Sequence, residues 1–116
     1  MTIKEKITDN VVVLSLSGDL VSEVDTAKLK EKIHSLVADH MKCAVIDMSG
    51  IDYVNSSGLG MLISSLTTMR NAGGDMKLAR LGERVENLFV ITKLVKVFDT
   101  FETVNRAIAS YNEKNM

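Results

Sequence analysis

Residues 43–69 constrain this chain more than any other stretch. Cys43, Ala44, Val45, Ile46, Asp47 and Met48 form a short apolar run, Ser49 to Val54 a loop, and Asn55-Ser56-Ser57-Gly58-Leu59-Gly60 opens an amphipathic segment. The apolar run does not alternate, which marks a strand covered on both faces, as in a parallel sheet. It is therefore placed at the centre of the sheet. A buried strand that hands over through a loop to a helix start gathers free backbone amides at one spot. Function is expected there.

The flanking chain supplies the rest of the sheet. Ile3 to Thr8 and Val11 to Ser17 read as strands, the second with Val12, Leu14 and Leu16 on one face and Val11, Val13, Ser15 and Ser17 on the other. Asp9-Asn10 between them suits a two-residue hairpin, because both types tolerate positive φ. From Asp25 to Asp39 the period is helical, with Leu29, Ile33, Leu36 and Val37 on the apolar stripe and Asp25 as the N-cap. The helix after the central strand is predicted over Ser56 to Asn71, with Leu59, Leu62, Ile63, Leu66 and Met69 buried and Gly73-Gly74 ending it. Met76 to Leu81 reads as a strand, Arg84 to Ile91 as a short helix with Val85, Leu88 and Phe89 inward, and Val95 to Phe98 as a short strand. Thr103 to Asn112 is a last helix carrying Val104, Ala107, Ile108 and Tyr111.

The order β-β-α-β-α-β-α-β-α predicts an α/β fold, a mixed sheet of about five strands with about four helices. A length of 116 residues fits one domain, 1–116. In such sheets the crevice that carries function lies at the carboxyl ends of the strands, where Asp47 to Gly60 falls.

Composition removes several function classes. A net charge of −1 gives no electrostatic reason to expect nucleic acid or an anionic membrane surface as partner. The lone Cys43 has no intramolecular disulfide partner, which fits a reducing compartment, and the cytoplasm is expected. No apolar stretch approaches the roughly 20 residues of a membrane span, and Met1 to Lys6 lacks the core of a signal peptide.

Catalytic and cofactor motifs are missing as well. Ser56 and Ser57 lack the G-x-S-x-G frame of a hydrolase nucleophile. His34 and His40 lack metal-ligand spacing, Gly58 and Gly60 are followed by Ile63 rather than a third glycine, and no Walker pattern is present. No enzyme activity, metal or cofactor is expected, and nucleotide binding at the crevice has no glycine loop to support it.

The residues that remain describe a helix start and a face. With Asn55 as cap, Ser56 and Ser57 lie in the first turn beside unpaired amides. Gly58 and Gly60 each cost a helix about 1 kcal/mol relative to alanine, so two in one turn imply a close approach by the neighbouring sheet or by a partner. Met61, Ser64, Ser65 and Thr68 fall off the apolar stripe and leave an uncharged face up to Arg70, a candidate contact surface.

At these residues the chain resembles the STAS family, in particular the bacterial anti-sigma factor antagonists. Their signature is a strand ending in D-x-S, a few residues, then D-S-[ST]-G-[LI]-G at a helix start. Here Asp47-Met48-Ser49 is followed by Asn55-Ser56-Ser57-Gly58-Leu59-Gly60. Gly18-Asp19-Leu20, Gly73-Gly74 and the segment from Leu94 to Phe98 extend the resemblance over nearly the whole chain.

The resemblance implies a switch that works by binding. Ser56 would be phosphorylated by an anti-sigma factor serine kinase, the unmodified form would bind that kinase, and a PP2C-type phosphatase would reset the phosphorylated form. Asn55 to Gly60 with Met61, Ser64, Ser65 and Thr68 would form the partner surface. The chain departs from the pattern where Asn55 replaces the usual aspartate. It departs again at Val21, in a β-to-helix loop one residue longer than usual, where an acidic residue is common. These departures leave a second expectation open, a STAS adaptor subunit of a lipid-transport or stress-sensing complex without phosphorylation.

Overall fold

The Asp9-Asn10 turn sets the first pairing. Both residues take left-handed φ values, 51° and 65°, and β1 (Thr2–Thr8) folds back antiparallel on β2 (Val11–Ser17) in a register running from Thr8 opposite Val11 to Thr2 opposite Ser17. The structure, a computed structural model, describes residues 1–113. After β2 the chain runs through α1 (Glu23–Ala38), β3 (Cys43–Gly50), α2 (Ser56–Asn71), β4 (Asp75–Ala79), α3 (Glu83–Ile91), β5 (Thr100–Phe101) and α4 (Val104–Glu113). The strands form one sheet in the order β1-β2-β3-β4-β5, with β2 to β5 mutually parallel. The mixed α/β sheet and the element order predicted above are therefore observed.

Strands β2, β3 and β4 bury both faces, as the lack of alternation in β3 implies. Val12, Leu14, Ala44, Ile46, Met48, Met76 and Leu78 join Leu29, Ile33, Leu62, Leu66, Met69, Val85 and Phe89 of α1, α2 and α3 in one core cluster. Val11, Val13, Val45 and Ala79 join Ala107, Ile108 and Tyr111 of α4 in the other. Three helices thus cover one face and α4 the opposite one. Burying each large aliphatic side chain stabilises the fold by about 1.5–3 kcal/mol relative to exposure.

The polar groups under α4 are satisfied. Tyr111 donates its hydroxyl to the Ala44 carbonyl at 2.7 Å, and burial pushes the ionisation of that hydroxyl far above the usual tyrosine range. Lys77 is buried beside it, donating to the Ser110 hydroxyl at 2.6 Å, with its ammonium 4.0 Å from the Tyr111 ring centroid.

Several boundaries differ from the sequence reading, each for a local reason. Helix α1 starts two residues early because Ser22, not Asp25, is the N-cap. The pair forms a capping box, in which the Ser22 hydroxyl accepts from the Asp25 amide at 3.1 Å and the Asp25 carboxylate accepts from the Ser22 amide at 3.3 Å. The Ser22 hydroxyl, and after it the Met1 amine 3.1 Å away, hold the Asp25 carboxyl down at about 2.

The predicted Val95 to Phe98 strand is absent. Lys93 turns left-handed at φ 63° and Leu94–Lys96 form a single 3₁₀ turn, which sends Leu94 and Phe98 inward at helical spacing while Val95 and Val97 stay exposed. The fifth strand follows at Thr100–Phe101. The fourth ends at Ala79 rather than Leu81, because Arg80 takes a positive φ of 59°.

Candidate functional site

The carboxyl ends of β2 and β3 are joined beyond the sheet by their own loops. Leu20 pairs with Val54 in an isolated parallel bridge, and the Leu20 amide donates to the Tyr53 carbonyl at 3.3 Å. The Asp19 carboxylate accepts from the Tyr53 amide at 3.1 Å. These contacts bring Gly18-Asp19-Leu20-Val21 alongside Asp52-Tyr53-Val54-Asn55, although the two segments lie over thirty positions apart in sequence.

Asn55 completes the junction with both ends of its amide. Its Oδ1 accepts from the Gly58 amide at 2.9 Å and caps α2, while its Nδ2 donates to the Val21 carbonyl at 2.8 Å. An aspartate would cap equally well but has no proton for Val21. Asn55→Asp is therefore expected to lose one hydrogen bond and set a carboxylate against a carbonyl, about 1–2 kcal/mol, against a helix-dipole gain of about 0.3–1 kcal/mol. Urea denaturation should show a net loss of about 1 kcal/mol, and an unchanged midpoint would refute the Val21 contact.

Ser56 and Ser57 are exposed at the first turn of α2, which carries no acidic residue. Their amides precede the first intrahelical bond, from the Leu59 amide to the Asn55 carbonyl at 2.9 Å. An anion placed here meets the positive end of the helix dipole. Asp47, in the second half of β3, serves the frame instead. It accepts from the Ser49 amide at 3.1 Å and the Ser15 hydroxyl at 3.4 Å and faces Arg80 at 3.6 Å.

The two glycines of the motif have different jobs. A Cβ on Gly58 would stand 2.2 Å from the Leu20 carbonyl oxygen and 2.7 Å from Val54 Cγ1, whereas a Cβ on Gly60 would meet nothing within 4 Å. Gly58 is thus required by the chain's own bridge, and it is buried. Gly60 is exposed, and no contact inside the fold explains it.

The face of α2 is rotated relative to the sequence reading. Gly58, Leu62, Ser65, Leu66 and Met69 point inward, so Ser65 is corrected from the contact surface to the core, where its hydroxyl lies buried without a hydrogen-bond partner. Met61 and Thr68 are half-buried, as is Leu59, while Ile63 is 37% exposed rather than buried. The exposed stripe is Ser56, Ser57, Gly60, Ile63, Ser64 and Thr67, of which the sequence reading missed Ile63 and Thr67. A small residue at position 65 and a glycine at position 58 let neighbouring groups approach that side of the helix. Apolar spacing alone does not reveal such a shift.

The stripe carries no charge, while the entry to α1 exposes Val21 and Val24 with the charged Glu23 between them. Among the described residues no group of His, Cys, Asp and Glu is placed to hold a metal, and none of the described helices is long and apolar enough to cross a membrane.

The model of the STAS domain matches residues 2–107. The anti-sigma-B factor antagonist of Bacillus subtilis is 29% identical over 94 residues, 81% of this chain and 84% of that protein. The structure of an anti-sigma factor antagonist from Mycobacterium paratuberculosis superposes with a TM-score of 0.81 at 27% identity, over 94% of this chain and 92% of the other. The Bacillus cell fate determinant SpoIIAA in its phosphorylated form shares the fold with a TM-score of 0.73 at 17% identity, over 95% and 99% of the two chains.

Proposed function

This chain belongs to the STAS domain family, and from that premise we propose that it is a cytoplasmic anti-sigma factor antagonist switched by phosphorylation. Unmodified, it binds an anti-sigma factor serine kinase through Asn55 to Gly60 and the exposed stripe of α2. Phosphorylation of Ser56 by that kinase ends the binding, and a PP2C-type phosphatase restores it. The protein acts by binding and catalyses nothing itself. Relatives named as anti-sigma factor antagonists support the general role.

The single observation that carries the switch is an exposed hydroxyl at the head of an uncharged helix face capped by Asn55. A phosphoryl group on Ser56 adds about −1.5 to −2 charges at pH 7. Toward its own helix that charge is stabilising by about 0.3–1 kcal/mol, so the fold persists. Pressed against a partner surface that fits an uncharged stripe, the same charge loses its water without gaining a counter-ion, at a cost of several kcal/mol. Each 1.4 kcal/mol is a tenfold loss of affinity.

The test is to incubate the purified chain with its cognate kinase and ATP and to weigh it intact. One phosphate should appear on the wild type and none on Ser56→Ala. Ser56→Asp should bind the kinase at least 100-fold more weakly than Ser56→Ala, with a melting temperature no lower than that of the wild type. Phosphate that persists on Ser56→Ala would end the site assignment.

The Asn55 to Val21 hydrogen bond favours a second reading. A chain that uses this position to brace its own loop is also suited to a permanent interface, as an adaptor subunit of a lipid-transport or stress-sensing complex. Full partner binding by Ser56→Asp would decide for it.

A further inference from the structure

The loop that leads into Ser56 also forms one wall of a groove that the switch does not use. Tyr53 and Val54 on that loop face Arg84, Val85, Leu88 and Ile91 of α3 across a cleft of about 260 Å³. Val54 and Val85 are buried to 1% exposure, Tyr53 is 44% exposed and Ile91 is 78% exposed. The Arg84 guanidinium carbon lies 5.4 Å from the Tyr53 ring centroid, a cation–π distance. Among the described residues no carboxylate lies within ion-pair range of Arg84, although Asp52 also lines the cleft.

Tyr53 and Ile91 are both exposed and line the same cleft with Val54, Val85 and Leu88, so the apolar surface there is a patch rather than a lone side chain, and such a patch marks an interaction surface. The cleft is smaller than the roughly 300–1,000 Å³ of small-molecule sites, which suits one large side chain rather than a metabolite. The unneutralised guanidinium at its side asks for an anion. Asp19 and Leu20 fix the Tyr53 backbone, and the cleft wall at Tyr53 and Val54 runs directly into Asn55 and Ser56 along the same loop.

We infer that this cleft is a second anchor point for the anti-sigma factor partner, taking a bulky apolar side chain whose neighbouring carboxylate pairs with Arg84. The inference rests on the proposed partner. Aromatic and arginine side chains at the centre of an interface often dominate its affinity. The cleft therefore sets how tightly the partner binds, and Ser56 sets whether it binds.

The experiment uses the full chain against each purified anti-sigma factor serine kinase of the source organism, with affinity read by calorimetry. Arg84→Glu should weaken binding at least tenfold and Ile91→Glu at least thirtyfold, both at wild-type melting temperature because both side chains are exposed. A fluorophore on Ile91→Cys should move to the blue on binding. Lys96→Glu, exposed but outside the cleft, should change affinity by less than twofold. If Ser56→Asp abolishes binding while Arg84→Glu and Ile91→Glu stay within twofold of wild type, the cleft assignment is wrong and the switch stands. If the cleft variants weaken binding and Ser56→Asp does not, the switch is wrong and the cleft stands. Failure of the wild type to bind any of these kinases overturns both. Self-association that Ile91→Glu dissolves makes the occupant a second copy of this chain and overturns the partner assignment.

Discussion

Gly58→Ala unfolds at markedly lower urea than the wild type, an expected loss of about 3 kcal/mol. In an open helix the change would stabilise by about 1 kcal/mol, since alanine is the better helix former. Here the added methyl would stand 2.2 Å from the Leu20 carbonyl oxygen, 2.7 Å from Val54 Cγ1 and 3.1 Å from Leu20 Cγ. None of the three can yield freely. The carbonyl belongs to the Leu20–Val54 bridge, and both side chains are core residues at 1% exposure or less. Overpacking a rigid site costs about 1–3 kcal/mol and occasionally more, and a backbone oxygen as the obstacle places this site at the upper end. Against a total stability of about 5–15 kcal/mol, that is a large fraction. A midpoint equal to the wild type would show that the two loops are not locked together.

Gly60→Ala should do the opposite to stability and still weaken binding. Nothing lies within 4 Å of the added methyl, so the helix gains about 1 kcal/mol and the urea midpoint rises. The proposed partner then meets a methyl where it had approached bare backbone, and affinity should fall ten- to a hundredfold by calorimetry. A larger residue at position 60 should deepen the loss without harming the fold. A variant that is more stable and binds less is hard to explain unless the glycine exists for something outside the chain. Full affinity in Gly60→Ala would remove that role.

The sequence made the sheet legible because its signals were local. The unbroken apolar run from Cys43 to Met48 fixed a two-sided central strand, Asp9-Asn10 fixed the hairpin, and the Asn55 cap with Gly73-Gly74 fixed both ends of α2. The motif at Asn55 to Gly60 likewise stood out by residue type and spacing.

What stayed hidden depended on partners far along the chain. The roles of Gly58 and Gly60 differ only because Leu20 and Val54 sit against one of them. Ser65 lies fully buried although its residue type marks it as polar, so apolar spacing could not reveal it. Ser22 was overlooked as a cap because Asp25 is also a cap-forming type, and only the reciprocal bonds separate N-cap from third helical position. The apolar residues at positions 95, 97 and 98 fit a strand by composition, whereas in the fold Leu94–Lys96 form a 3₁₀ turn and Phe98 packs on Phe89 with ring centroids 5.7 Å apart, a contact from an element the local pattern does not include. The Tyr53 cleft needed α3 brought beside a loop some thirty residues earlier.

The Leu20–Val54 bridge has a thermodynamic consequence for recognition. Ordering the backbone of a loop residue costs about 1–2 kcal/mol, and a binding surface that is loose before contact gives up that amount during association. Here the bridge, the Asp19 and Asn55 bonds and the α2 cap hold the loops in one arrangement from the outset. The ordering entropy is spent in folding, not in encounter. Binding of such a surface should proceed close to rigid docking, with little lag for conformational search. The phosphate proposed for Ser56 would then change the charge of a fixed shape and leave the shape itself untouched.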